Sequence, residues 1–227
     1  MQQSLTLDRM RPVAQQLYEA LRQRILSMDL SPGMHLSRAE LAQQHGVSQT
    51  PVRDALMRLQ AEGLVDVFPQ AATQVSKISL SHARRTHFLR RAIELELVRE
   101  HALKPDASLV ARLRAALVLQ TGLSEADDRE GFVGADQSFH AEFYRAAGQE
   151  ELLQLVHSRS GHIDRLRRLH MPTEGKMQRI LEDHQRIVDG IAKGDPDQAC
   201  QALREHLSGT LQSAQEIRQL YPDSFVD

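Results

Sequence analysis

Asp136 and His140 stand four residues apart in a segment patterned as a helix, so both side chains leave the same face. His184 follows on the next helix but one and His206 on the last. A carboxylate and three imidazoles converging inside a bundle would suit a divalent ion such as zinc or nickel, with coordination positions left open. The chain has eleven histidines, so spacing alone leaves two other readings open. One is a metal-dependent helical enzyme using the Asp/His3 set to activate water or dioxygen. The other is a core hydrogen-bond network with no metal. No carboxylate is placed by spacing as a general base beside these four residues.

The segments that carry these four residues are patterned as helices. From Ser81 onward there is no strand pattern, only amphipathic segments at 81–103, 106–127, 132–147, 150–170, 173–193 and 196–220. Pro105-Asp106, Gly148, Met171-Pro172-Thr173 and Gly194-Asp195-Pro196 separate them, the last supplying an N-cap aspartate with proline at the first helical position. Six such helices bury a core between them as an antiparallel bundle.

The N-terminal third has a different texture. After a polar tail to Arg11, Val13, Leu17, Leu21 and Ile25 recur every four residues, and Ser31-Pro32-Gly33 ends that helix. Ser37 with Glu40 has the form of a capping box, Gly46 closes the short helix, and Ser48 caps a second one with Pro51 in its first turn. Val52, Ala55, Leu56 and Leu59 form its buried face, leaving Gln49, Thr50, Arg53, Asp54 and Met57 outside. Residues 64–68 and 73–78 read as two short strands around Pro69-Gln70-Ala71-Ala72. Two helices joined by a glycine turn and followed by a hairpin have the form of a winged helix-turn-helix, whose second helix lies in the major groove. The expected fold is therefore mainly α: a winged helix-turn-helix over 1–77 with a small β-hairpin wing, and a six-helix antiparallel bundle over 78–227.

Composition constrains the setting. A single cysteine, Cys200, excludes an intramolecular disulfide, no apolar run approaches a membrane span, and residues 1–10 lack a signal-peptide core, so a cytoplasmic protein is expected. Residues 1–77 hold eight Lys and Arg against seven Asp and Glu, the remainder twenty against twenty-three. That contrast neither supports nor opposes nucleic-acid binding.

The wording of these segments is more specific. GVSQTPVRDALMRLQAEGLV, residues 46–65, closely resembles the recognition helix of the GntR family of bacterial transcriptional regulators, through its Pro-Val-Arg and Leu-x-x-Glu-Gly-Leu elements. The likeness runs back to Leu17 and forward through the wing. It implies a homodimer on pseudopalindromic double-stranded operator DNA, contacted by Arg38, Ser48, Gln49, Thr50 and Arg53. The chain departs from the family pattern at Ala39 and Gln49, where arginine is common, and at Ala72, where the wing tip usually has glycine.

The segments around Asp136–His140, Glu182-Asp-His184-Gln-Arg-Ile, Gly194-Asp-Pro-Asp-Gln-Ala and His206-Leu resemble the all-helical FCD ligand-binding domain of the FadR-like branch, with six helices similar to the VanR-type subgroup. In metal-binding members the matching residues are the ligands, which implies that Asp136, His140, His184 and His206 hold a divalent ion. Such domains bind small organic acids whose carboxylate reaches the metal and an arginine. Arg90, one turn before Glu94, matches that arginine; Arg91, Arg159, His162 and Arg165 are further candidates. Sugar acids, dicarboxylates, hydroxy acids and aromatic acids all fit, and release of a repressor is the expected response.

Overall fold

Leu17, Leu21 and Ile25 build the buried stripe of α1 (Val13–Leu26), the first element of the chain. The computed structural model describes residues 7, 8, 10–68 and 73–226. The chain divides into two compact units: residues 1–83 with 158–165 and 218–227, and residues 84–157 with 166–217.

In the first unit α1 closes at Ser27, ahead of Ser31-Pro32-Gly33, because Met28 takes a left-handed turn at φ 68°. β1 (His35–Leu36) follows, then α2 (Arg38–His45). Ser37 Oγ caps α2 by accepting the Glu40 N–H at 3.3 Å, and Gly46 ends it at φ 64°, a conformation a side chain would strain. α3 (Gln49–Ala61) buries Val52, Ala55, Leu56 and Leu59 against α1, as their spacing predicts. Ser48 occupies the N-cap position in extended conformation, but its hydroxyl makes no cap hydrogen bond.

β2 (Val65–Val67) and β3 (Thr73–Val75) pair antiparallel, with Val65 opposite Val75. β3 also pairs with β1, giving a three-stranded sheet in the order β1-β3-β2. β1 is two residues long, too short to show a period of two. The wing tip at 69–72, where the Ala72 turn was expected, lies outside the described residues. Beyond Val75 the Ser76 N–H still donates to Leu64 O at 3.0 Å and its Oγ to Gly63 O at 2.6 Å, and Ile78 then forms a parallel bridge with Phe225.

The second unit draws on the segment that folds as α4 (Leu80–Leu103), α5 (Ala107–Glu125), α6 (Arg129–Ala146), α7 (Glu150–Arg159), α8 (Gly161–His170), α9 (Lys176–Lys193), α10 (Pro196–Gln212) and α11 (Ala214–Leu220). Two of the six expected helices are thus interrupted, at Ser160 and Ser213. Apolar spacing runs through both serines, so periodicity cannot reveal the breaks. Ser160 Oγ bonds the Asp164 carboxylate, a local side-chain contact of the kind that competes with helical continuity. The core is formed by Leu109, Leu113, Phe132, Phe139, Phe143, Ile187, Val188 and Leu203, all nearly inaccessible.

Candidate metal centre and recognition helix

α6 begins one turn earlier than its apolar pattern, because Asp128 caps it by accepting the Gly131 N–H at 2.9 Å. Asp136 and His140 then fall on its buried face. α10 starts where expected, with Asp195 accepting from Gln198 N–H and Pro196 in the first turn. α9 and α10 touch at Gly190, where a Cβ would stand 2.6 Å from the backbone nitrogen of Ala199. That close approach, open only to glycine, lets His184 of α9 and His206 of α10 meet.

One ligand atom from each of Asp136, His140, His184 and His206 lies within 4.8 Å of all the others, and all four residues are buried. His206 Nε2 is 3.0 Å from His140 Nε2 and 3.3 Å from His184 Nε2. Asp136 Oδ1 is 3.5 Å from His184 Nε2 and 3.9 Å from His140 Nε2. Separations of about 3 to 3.5 Å are those of donors sharing one ion at roughly 2.0–2.1 Å.

The other imidazole nitrogens face outward to acceptors. His140 Nδ1 is 2.8 Å from Glu94 Oε2, and His184 Nδ1 is 2.9 Å from Gln120 Oε1. Each contact calls for a hydrogen on Nδ1, which leaves the Nε2 lone pair pointing inward. His206 Nδ1 lies 3.8 Å from Asp183 Oδ2 and has no closer hydrogen-bond partner among the described residues. Burial, with His206 second, pushes the His184 imidazole well below its ordinary value, and burial with Arg90 does the same to His140; Asp136 opposes both. Burial would raise the Asp136 carboxyl, but Arg167, 3.8 Å away, and the imidazoles hold it far below the usual carboxylate range.

These facts distinguish the metal reading from a hydrogen-bond network. A network needs a donor in each pair, whereas the Nε2 lone pairs of His140 and His184 and the Asp136 oxygen are three acceptors facing one another, more than a single His206 Nε2–H can satisfy. Asp136 Oδ1 is buried and without a hydrogen bond among the described residues. The donor set therefore fits a divalent cation.

The arginine and histidine candidates divide. Arg90 joins the centre: its Nε donates to Glu94 Oε1 at 2.6 Å, and Glu94 in turn orients His140. Arg91 is exposed on α4. Arg159, His162 and Arg165 belong to the first unit. There His162 Nδ1 accepts the Ser79 N–H at 3.1 Å, and the fully buried Arg165 donates to Ser76 O at 2.5 Å and to Gly161 O at 3.0 Å. Arg159 is exposed. Sequence reasoning did not assign roles to Gln120, Asp183 and Arg167. Only Gln120 left a signal, as the polar residue that continues the buried stripe of Leu109, Leu113 and Leu117.

On α3 and α2, Ser48, Gln49, Thr50, Arg53 and Arg38 are all exposed. The Arg53 side chain is 59% exposed and, among the described residues, makes only a 3.4 Å contact with Asp54.

Residues 13–75 match the family described as bacterial regulatory proteins, gntR family, and residues 86–209 match the FCD domain. The chain is 36% identical over 210 residues to an uncharacterized HTH-type transcriptional regulator in an unstable DNA locus of Streptomyces ambofaciens, covering 92% of this chain and 88% of that one. It is 30% identical over 221 residues, 97% of each chain, to the HTH-type transcriptional repressor RspR of Escherichia coli K12. The fold is similar to that of E. coli McbR/YncC, with a TM-score of 0.76 at 20% identity, covering 93% of this chain and 100% of that one. No helix among the described residues is long and apolar enough to cross a membrane. The protein belongs to the GntR family with an FCD domain, and is a bacterial DNA-binding transcriptional regulator rather than an enzyme.

Proposed function

We propose that the protein is a metabolite-responsive cytoplasmic repressor that binds a pseudopalindromic operator as a homodimer and is released by a small organic acid. In this reading residues 1–77 bind DNA, and residues 78–227, of the VanR-type subgroup, bind effector. Asp136, His140, His184 and His206 would hold zinc or nickel. The observation that carries the reading is the buried set of four ligand atoms within 4.8 Å of one another. When bound, the ion supplies a Lewis-acidic anchor for a carboxylate at its open positions. Glu94 fixes the His140 tautomer and the Arg90 Nε, leaving the Arg90 Nη groups to face a carboxylate bidentately. Of the relatives above, RspR is a repressor, which supports the sign.

Selection of bound fragments from the source genome, with and without candidate acids and with metal-loaded and chelated protein, tests all parts together. The expected result is enrichment of one pseudopalindrome, lost when the acid is added to metal-loaded protein but not to chelated protein. Failure to enrich any sequence would overturn the operator; release by acid from chelated protein would overturn the metal's part.

A further inference from the structure

Lys176 opens α9, the helix that carries Asp183 and His184, and only 9% of its surface is exposed. No ion pair or hydrogen bond engages its ammonium among the described residues. Its Nζ lies against Gly209 of α10, 3.5 Å from where a Cβ would stand. Gly209 is three residues from His206, one turn along the same face. On α9, Asp183 is seven residues from Lys176, two turns along the same face. The ammonium lies one to two helical turns from the His/Asp cluster, close enough for the charges of Asp136 and Asp183 to act on it.

Its surroundings are unfavourable to a cation. Burial first, then the charges of Arg167 and Arg179, push the Lys176 ammonium below its ordinary value, with Asp136 and Asp183 opposing. A lysine in the first turn also faces the positive end of the helix dipole. Gly175, the N-cap, has no side chain to accept the N–H groups of the first turn of this 18-residue helix, of which Thr173 O takes that of Lys176 at 3.1 Å. Of the neighbouring arginines, Arg90 is already paired with Glu94 and Arg167 with Asp136. A buried lysine and an uncapped helix start are both left to be met by an anion.

We propose that Lys176 and the first turn of α9 receive a second carboxylate of the effector whose first carboxylate lies at the Asp136, His140, His184 and His206 cluster, so that the acid sensed is a dicarboxylate. This rests on the effector reading above and narrows it. A monocarboxylate would satisfy the cluster and leave the lysine unmet.

Calorimetry on the full-length, zinc-loaded protein tests it with succinate and glutarate against their length-matched monocarboxylates, butyrate and valerate. The dicarboxylates should bind tighter by about tenfold or more, the scale of one charge-assisted contact. Lys176→Met should abolish that preference while leaving butyrate affinity and zinc stoichiometry unchanged; Lys176→Gln serves if the methionine variant does not fold. Equal affinities within each matched pair, or a preference that survives both variants, would overturn the proposal and leave the metal-bound carboxylate standing. Binding of none of the four acids to the zinc-loaded protein would overturn the dicarboxylate assignment.

Discussion

Oε2 of Glu94 lies 2.8 Å from Nδ1 of His140, and both side chains are almost wholly buried. A carboxylate can only accept there, so this one contact decides which nitrogen of His140 faces the cluster. Arg90 and Tyr144 hold Glu94 in turn, through Oε1 at 2.6 Å and 3.3 Å.

Removing that outer partner should weaken metal binding without removing a ligand. Glu94→Gln is expected to lower zinc affinity by about 10- to 100-fold, the usual effect of losing a second-sphere partner. Competition with a chromophoric chelator measures this. An unchanged zinc affinity would mean that His140 does not depend on Glu94 for its orientation.

Metal binding should also appear as stability, since α6, α9 and α10 are joined by the cluster. With free ion at 100 times its Kd the folded state gains about 2.7 kcal/mol, roughly 5–10 °C in a chain of this size. Chelation should lower the wild-type melting temperature on that scale and leave the double variant His184→Ala, His206→Ala unmoved. Stoichiometric metal retained by that variant after dialysis would sink the ligand assignment.

A separate pH dependence belongs to His170, whose Nδ1 is 3.4 Å from Thr210 Oγ1. Burial, followed by the charges of Lys176 and Arg179, pushes its imidazole down from 6.5 to about 4. The folded state thus resists a proton that the unfolded chain accepts. Stability from this group is complete above pH 6.5 and is lost as pH falls towards about 4. Urea titrations of chelated protein across that window should show a shallower acid loss for His170→Gln than for wild type. Parallel curves would assign the acid sensitivity to other groups.

At the DNA-binding surface, Arg53 and Gln49 are expected to read bases. A bidentate arginine–guanine pair discriminates by about 1–3 kcal/mol, so Arg53→Ala should lose both affinity and preference at one base of each half-site. Glutamine favours adenine, and Gln49→Arg should move the preferred base towards guanine. Binding titrations at fixed salt on a randomised operator check both substitutions. If Arg53→Ala only weakened binding uniformly across sequences, the arginine would be a phosphate contact instead.

What was legible in the sequence follows from how local each signal is. Asp136 and His140 are one turn apart, and the caps at Asp195 and Ser37 lie within three residues of what they cap, so spacing reaches them. Glu94 pairs with a residue 46 positions away and Gln120 with one 64 away, choices made by helix packing alone. Arg165 shows the limit from the other side. As a charged residue near the expected ligand site it reads as an effector contact, yet it is fully buried and spends its donors on Ser76 and Gly161. A sequence carries the charge of an arginine but not the carbonyls that will surround it.

Release from DNA by an acid has a thermodynamic requirement. A ligand shifts the protein between DNA-competent and DNA-incompetent shapes only by the difference in its affinity for the two. An acid held at the cluster and by Arg90 can supply that difference, because a small movement of α4 changes the Arg90 contact by more than a charge-assisted hydrogen bond tolerates. α4 follows the wing in the chain after only Ser76-Lys77-Ile78-Ser79, which is the covalent route for such a movement. Linkage then requires reciprocity: operator DNA must weaken acid binding by the same factor by which the acid weakens operator binding, about 5- to 150-fold for typical couplings. Calorimetric titration of the acid into free protein and into protein saturated with operator measures that factor directly. Equal affinities in the two titrations, for an acid whose binding is lost on chelation, would mean that occupancy of the cluster is not communicated to α3.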